Sequence, residues 1–280
     1  MSPARLSCTV STLARDILTG PPRPVRVLAV ARQALYLLPY GDDTPLAVIA
    51  PGAVRVPTAV VLPRAAGERP FDGTAVGDAG RVGGGHLAVG DMSLTARDTW
   101  QPPRAQDTPP GPALERLSAL RLPRPLTPEI RHAATALVHA LTRPGRDHQH
   151  RAACALLGLG PGATPSGDDY LCGLLLVARL PERSPPWLPV LRETAHGAAT
   201  RTAPVSAALL RHAADGYCVP QAAAVLHAAA TGADLSAPVA DLLAVGHTSG
   251  SDLLHGLCAG AGIIPSRRPR TALRLRSTPS

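Results

Sequence analysis

The 280-residue chain contains no lysine and no asparagine, and all 28 of its basic residues are arginine. Each absence excludes a chemistry. Without lysine there is no Walker-type phosphate loop and no Schiff-base lysine; without asparagine there is no N-glycosylation acceptor and no catalytic Asn. Phe71 is the one phenylalanine. The missing residues have A- or T-rich codons, so a GC-rich genome accounts for the pattern and for much of the +8 net charge. Aromatic residues make up only 2 % of the chain, which leaves no platform for stacking bases. The arginines are scattered except at Arg267, Arg268, Arg270, Arg274 and Arg276, so no nucleic-acid partner is expected. That Ser/Pro-flanked basic end, 265–280, reads as a disordered tail.

Cysteine is also sparse. Cys8, Cys154, Cys172, Cys218 and Cys258 are widely spaced, odd in number and without a CxxC pair, which argues against a disulfide framework and a zinc knuckle. No apolar run approaches the ~18 residues of a membrane span, and charges of both signs interrupt the first twenty residues, unlike a signal peptide. A soluble, cytoplasmic protein with no membrane partner is expected.

What is present divides near residue 110. The length suits one large domain or two modest ones, and a 45 % apolar content can build a real core. Between Val25 and Trp100, short apolar runs at 25–30, 34–38, 46–49 and 59–62 are bounded by Gly, Pro and Asp and read as strands. The runs 86–89 and 92–95 flank Gly90-Asp91, a hairpin turn. Residues 101–112 are proline-rich and read as a linker. Beyond it the period becomes helical: 129–141 behind Pro128, then 147–158, 187–199, 204–214, 220–231 and 236–245. The fold class expected is α+β, a β-rich N-terminal domain (1–110) followed by a mainly helical domain (111–264).

Two segments carry the functional signal. Gly158-Leu159-Gly160-Pro161-Gly162-Ala163-Thr164-Pro165-Ser166-Gly167-Asp168-Asp169 runs into an apolar helix marked by Leu171, Leu174, Leu175 and Ala178. A glycine-rich loop feeding a helix N-terminus offers backbone N–H groups and a positive dipole end to an anionic or polar ligand, although Ser and Thr there also serve as plain helix caps. The pattern recurs. Ser166-Gly167-x-Asp169-x-Leu171-x-Gly173-Leu174 matches Ser249-Gly250-x-Asp252-x-Leu254-x-Gly256-Leu257, with Thr164 and Thr248 ahead of the serines. Each Asp shares a helix face with the Gly four residues on. Those glycines suit a crossing of the two helices, a ligand cleft shared by the two loops, or both.

The candidate catalytic residues are therefore Asp169, Asp252 and His247, the last because an imidazole inside the second loop can donate or accept a proton. The candidate substrate-binding residues are Gly160, Gly162, Thr164, Ser166, Gly167, Asp168, Thr248, Ser249 and Gly250. The two acids Asp169 and Asp252 are expected to face one solvent-accessible cleft. Asp168 and Asp169 could equally serve only the helix dipole. No metal ligand set is evident, but a phosphate beside two carboxylates would call for Mg²⁺ or a substrate amino group. In Asp147-His148-Gln149-His150 the histidines do not face one site, so the segment reads as a solvated helix start with Asp147 as N-cap.

These loops, together with Thr200, Thr202 and Ser206 between them, resemble a widespread bacterial domain of unknown function that includes the AllH-type subunit of oxamate carbamoyltransferase in allantoin catabolism. The resemblance spans most of 25–264. It implies a subunit of a carbamoyl-transfer enzyme, active within a complex of larger subunits, with oxamate or oxalurate as the small polar anion. Thr200-Arg201-Thr202 also looks like the carbamoyl-phosphate loop of the classical transcarbamylases, but their doubly wound domains need a βαβ alternation that this chain lacks. The alternative from another class is a non-catalytic small-ligand-binding or assembly protein using the same loops.

Overall fold

The structure, a computed structural model, describes residues 5–63, 69–110, 115–181 and 184–264. The basic tail expected at 265–280 lies outside the described residues.

Period-two alternation builds the N-terminal part. In β3 (Ala34–Pro39) Leu35 and Leu37 are buried while their neighbours are not, and β7 (His86–Val89) alternates likewise. With β1 (Arg5–Ser11), β2 (Arg23–Ala31), β4 (Leu46–Ile49), β5 (Ala59–Val61), β6 (Ala79–Gly83) and β8 (Met92–Trp100) they close into a barrel, in the order β1-β5-β4-β3-β2-β6-β7-β8. Neighbours are antiparallel except β1/β8 and β4/β5. Leu35, Leu37, Leu46, Val48, Leu87 and Leu94 fill the interior with Leu18 of the short helix α1 (Arg15–Thr19). Pairing of Val89 with Met92 makes the expected hairpin at Gly90-Asp91. β4 is buried on both faces, as an unbroken apolar run predicts. Its outer side, Ala47 and Ile49, packs with Ala59, Val56 and Trp100 in a second cluster.

The proline-rich stretch after Trp100 is not a free linker. Ala105 N–H donates to the Gly216 carbonyl (2.8 Å), Cys218 N–H donates to that of Pro103 (3.1 Å), and the Arg104 guanidinium lies over the Tyr217 ring. Prolines shape its backbone, yet the groups between them are bonded to the helical part.

Then come α2 (Glu115–Ser118), α3 (Pro128–Leu141), α4 (Arg146–Cys154), α5 (Ser166–Ala178), α6 (Leu188–His196), α7 (Pro204–Ala214), α8 (Pro220–Thr231), α9 (Ser236–Leu243) and α10 (Ser249–Ile263). Prolines in the first turn start α3, α7 and α8, and left-handed Gly232 ends α8. In α4 the N-cap is Gly145, and Asp147, the expected cap, sits inside the first turn two residues beyond it. The leucine stripe expected of α5 understates its burial, because all thirteen residues are buried. A helix apolar on most sides belongs at the centre of its layer, and α10 packs along it.

Candidate functional site

The segment before α5 turns through Gly158, Gly160 and Gly162, all at positive φ, and the segment before α10 turns at Gly246, also at positive φ. Each then folds back on its helix. Gly167 N–H donates to the Leu159 carbonyl (2.9 Å) and Gly250 N–H to that of Val245 (3.0 Å). A side chain at Gly167 would strike the Leu156 carbonyl, and one at Gly250 the Leu242 carbonyl. These two glycines seat their helices against the preceding chain and do not line the loop cavity. The N-cap residue is Pro165 in α5 and Thr248 in α10, and neither helix has a side-chain hydrogen bond at its cap, so Ser166 and Thr248 do not cap through their hydroxyls.

The glycines one helical turn after the acids are the crossing point. A Cβ on Gly173 would collide with the Leu253 carbonyl, one on Gly256 with the Tyr170 carbonyl, and Gly173 Cα lies 3.0 Å from the latter's Cβ position. Backbone touches backbone there. This crossing brings Asp169 and Asp252 into electrostatic contact. The expectation that both acids are solvent-accessible does not hold: Asp169 is 5 % exposed and Asp252 6 %. The close crossing itself covers them.

Asp168 is wholly buried and fully employed. Its Oδ1 accepts from Gly158 N–H (2.9 Å), while its Oδ2 accepts from the hydroxyls of Ser206 (2.7 Å) and Thr202. Burial raises its pKa against the lowering effect of those three bonds. It ties the first loop to α7 and, with no exposed surface, does not line the loop cavity. Thr202 and Ser206 are thus joined to the loop, while Arg201 is exposed.

Asp169 differs. Desolvation pushes its pKa up to about 8, opposed by a hydrogen bond from the Ser249 hydroxyl and reinforced by the charges of Asp252 and Asp168. Its Oδ2 is buried without a partner, as are Asp252 Oδ2 and Ser251 Oγ. Unpartnered buried oxygens are costly, and they concentrate where the two repeats meet.

Two cavities flank this meeting point, separated by the Thr164–Ser249 hydroxyl pair (3.0 Å). The first, about 610 Å³, is walled by Gly160, Gly162, Thr164 and Ser166 from one loop and by His247, Thr248 and Ser249 from the other. Seven of the residues anticipated from sequence therefore share one cavity, whereas Gly167, Asp168, Gly250 and Asp252 lie behind it. Thr127, just before α3, and Glu129 and Ile130 within it also line the wall. Sequence reasoning missed them, since nothing local to α3 marks it as facing the loops. His247 is exposed on the rim, its backbone carbonyl held by Arg124 Nη1 (2.6 Å). The second cavity, about 280 Å³, lies between α5, α7, α10 and the barrel, and Asp169 opens on it. Among the described residues no group of three or more His, Cys, Asp or Glu side chains is placed to hold a metal ion. Nor is any described helix long and apolar enough to cross a membrane.

Residues 156–261 match the family model described as oxamate carbamoyltransferase subunit AllH. The matched stretch opens just before Gly158 and ends within α10, taking in both loops and both central helices and leaving the barrel out. No solved structure matches the chain.

Proposed function

We propose that this chain, whose residues 156–261 match the AllH family, is an AllH-like subunit of an oxamate carbamoyltransferase-type enzyme working with larger subunits in the cytoplasm. The helical part, from about residue 111, carries the site, and the barrel is a separate N-terminal domain. A small polar anion, oxamate or oxalurate, sits in the cavity between the two glycine-rich loops. The observation that carries this reading is the coincidence of the family match with both loops and the cavity they share. Five unpaired cysteines suit a reducing compartment.

In this reading the anion lies at two helix N-termini, where backbone N–H groups and both dipoles favour negative charge. The hydroxyls of Thr164, Ser166, Thr248 and Ser249 supply further hydrogen bonds. In the direction that consumes oxalurate, a phosphate oxygen attacks the carbamoyl carbon, the bond from that carbon to the oxamate nitrogen breaks, and that nitrogen takes a proton. His247 is the catalytic group for this proton. Asp169 is bonded to the Ser249 hydroxyl and acts through it as a positioning residue, and Asp252 acts on Asp169 through its charge. The rate gain comes from orientation and charge stabilisation, with no covalent intermediate.

The test is co-expression with the subunits encoded beside this chain, followed by an assay for carbamoyl phosphate formed from oxalurate and phosphate. Turnover that falls at least tenfold with His247→Ala, in a complex that still assembles, is expected. An assembled complex without turnover would shift the assignment to the second reading, a non-catalytic binding or assembly protein. One observation favours that reading: neither carboxylate lines the loop cavity. A gene standing alone, with no neighbouring large subunits, would strengthen it.

A further inference from the structure

The second cavity is chemically unlike the first. Its walls are largely apolar: Ala34, Val54 and Val56 from the barrel side, Leu176, Leu209 and Leu253 from the helices. Into this setting opens one carboxyl group, Asp169, 5 % exposed and with Oδ2 unpartnered. Behind it stand two more acids, Asp168 and Asp252, and none of the described side chains lining the cavity is an arginine or histidine. An acid on the wall of an apolar pocket, one of its oxygens without a partner and no basic group opposite, is complementary to a cation on a hydrophobic body.

We propose that the cavity between the barrel and α5, α7 and α10 is a second ligand site, for a small organic cation whose apolar body packs between barrel and helices and whose amidinium or ammonium N–H groups bond Asp169. At about 280 Å³ it has room for a single-ring molecule. Gln33 and Tyr36, from β3 and the turn before it, give the barrel a polar contact with the ligand, so the site needs both parts of the chain. The Thr164–Ser249 pair borders both cavities, and Ser249 also bonds Asp169. Occupancy of one cavity is therefore felt at the wall of the other. This site does not depend on the carbamoyl-transfer reading.

Binding of a cation restores the charge of a carboxyl that burial keeps protonated in part at neutral pH. Tyr36, Cys172 and Cys218 on the same walls are held protonated by burial, and Asp168 is occupied by three donors. The ionisation that accompanies binding is thus that of Asp169, modulated by Asp252.

The experiment uses the full chain and three probes of one shape: benzamidine, benzamide and benzoate, followed by isothermal titration calorimetry at pH 7 in two buffers of different ionisation heat. Benzamidine is expected to bind at least tenfold more tightly than either other probe, to release a proton, and to tighten between pH 6 and 8.5. Asp169→Asn is expected to weaken it at least tenfold and remove the buffer dependence. Tyr36→Phe, which leaves the acid in place, is expected to weaken it less while keeping the proton release. Equal binding of benzamide or benzoate, undiminished binding to Asp169→Asn, or no binding of benzamidine to the folded chain would overturn the proposal. None of these outcomes involves turnover of oxalurate, so they stand apart from the fate of the functional reading.

Discussion

Asp168 and Asp169 are neighbours in sequence and opposite in circumstance. The first accepts three protein hydrogen bonds, and its removal would leave Gly158 N–H and the Thr202 and Ser206 hydroxyls without their acceptor. Leaving buried donors unpaired costs ~1–3 kcal/mol each, so Asp168→Ala is expected to destabilise the chain by about 3 kcal/mol or more, read from urea unfolding. His247→Ala, at an exposed rim position, is expected to change stability by less than about 0.5 kcal/mol while activity falls. Asp169 titrates in the opposite sense to a salt-bridged acid. Its folded pKa, about 8, lies above its ordinary value of 3.8, so between them the folded state holds more protons than the unfolded state. Stability from this group is therefore full below pH 4, declines as pH rises toward 8, and is level beyond. His212 is buried and pushed down to about 4, so it contributes a rise between about pH 4 and 6.5 and nothing above. The window from pH 6.5 to 8 thus isolates the acid. Thermal melts are expected to fall by several degrees across that window, and Asp169→Asn should flatten the slope. A wild-type melting temperature constant from pH 6.5 to 8 would remove the argument for a protonated Asp169.

At the scale of elements, the crossing of α5 and α10 is the feature on which both cavities depend. Gly173 and Gly256 let the helix backbones touch, and a methyl group at either would meet a carbonyl oxygen of the other helix. Gly173→Ala or Gly256→Ala is expected to destabilise by at least ~1–3 kcal/mol, the cost of overpacking, although alanine favours an isolated helix. A neutral or stabilising result in chemical denaturation would contradict the crossing. Much of this was legible in the sequence. The matching halves 166–174 and 249–257 and their glycines marked a close approach, and the prolines at 128, 204 and 220 placed three helix starts. The barrel was not legible as a barrel. β6 carries glycine and arginine in place of a clean apolar alternation, β1 alternates through Leu6, Cys8 and Val10 but lies ahead of the stretch from Val25 that reads as strands, and the β1/β8 parallel closure joins segments more than eighty residues apart. Nor could local pattern show that Asp168 is spent on Thr202 and Ser206, bonds that span more than thirty residues. The burial of Asp169 and Asp252 had the same cause, since a helix start reads as exposed until its partner is placed over it.

For the whole molecule, the barrel and the helices meet around the second cavity, which β3 with the turn before it and the loop between β4 and β5 line from the barrel side, and the docked stretch after Trp100 joins them. Arg211 of α7 reaches the Asp43 carbonyl (2.7 Å), a further link between the two parts. In the proposed function, two copies of one loop-to-helix pattern build one ligand site. A double-mutant cycle tests it most directly: Ser166→Ala from the first loop, Thr248→Ala from the second, and both together, assayed in the assembled complex for carbamoyl phosphate formed from oxalurate and phosphate. Each single variant is expected to lower kcat/KM about tenfold, with the pair coupled by ~0.5–3 kcal/mol, as for residues that share a partner. Full activity in either single variant, or strictly additive losses, would contradict a shared site.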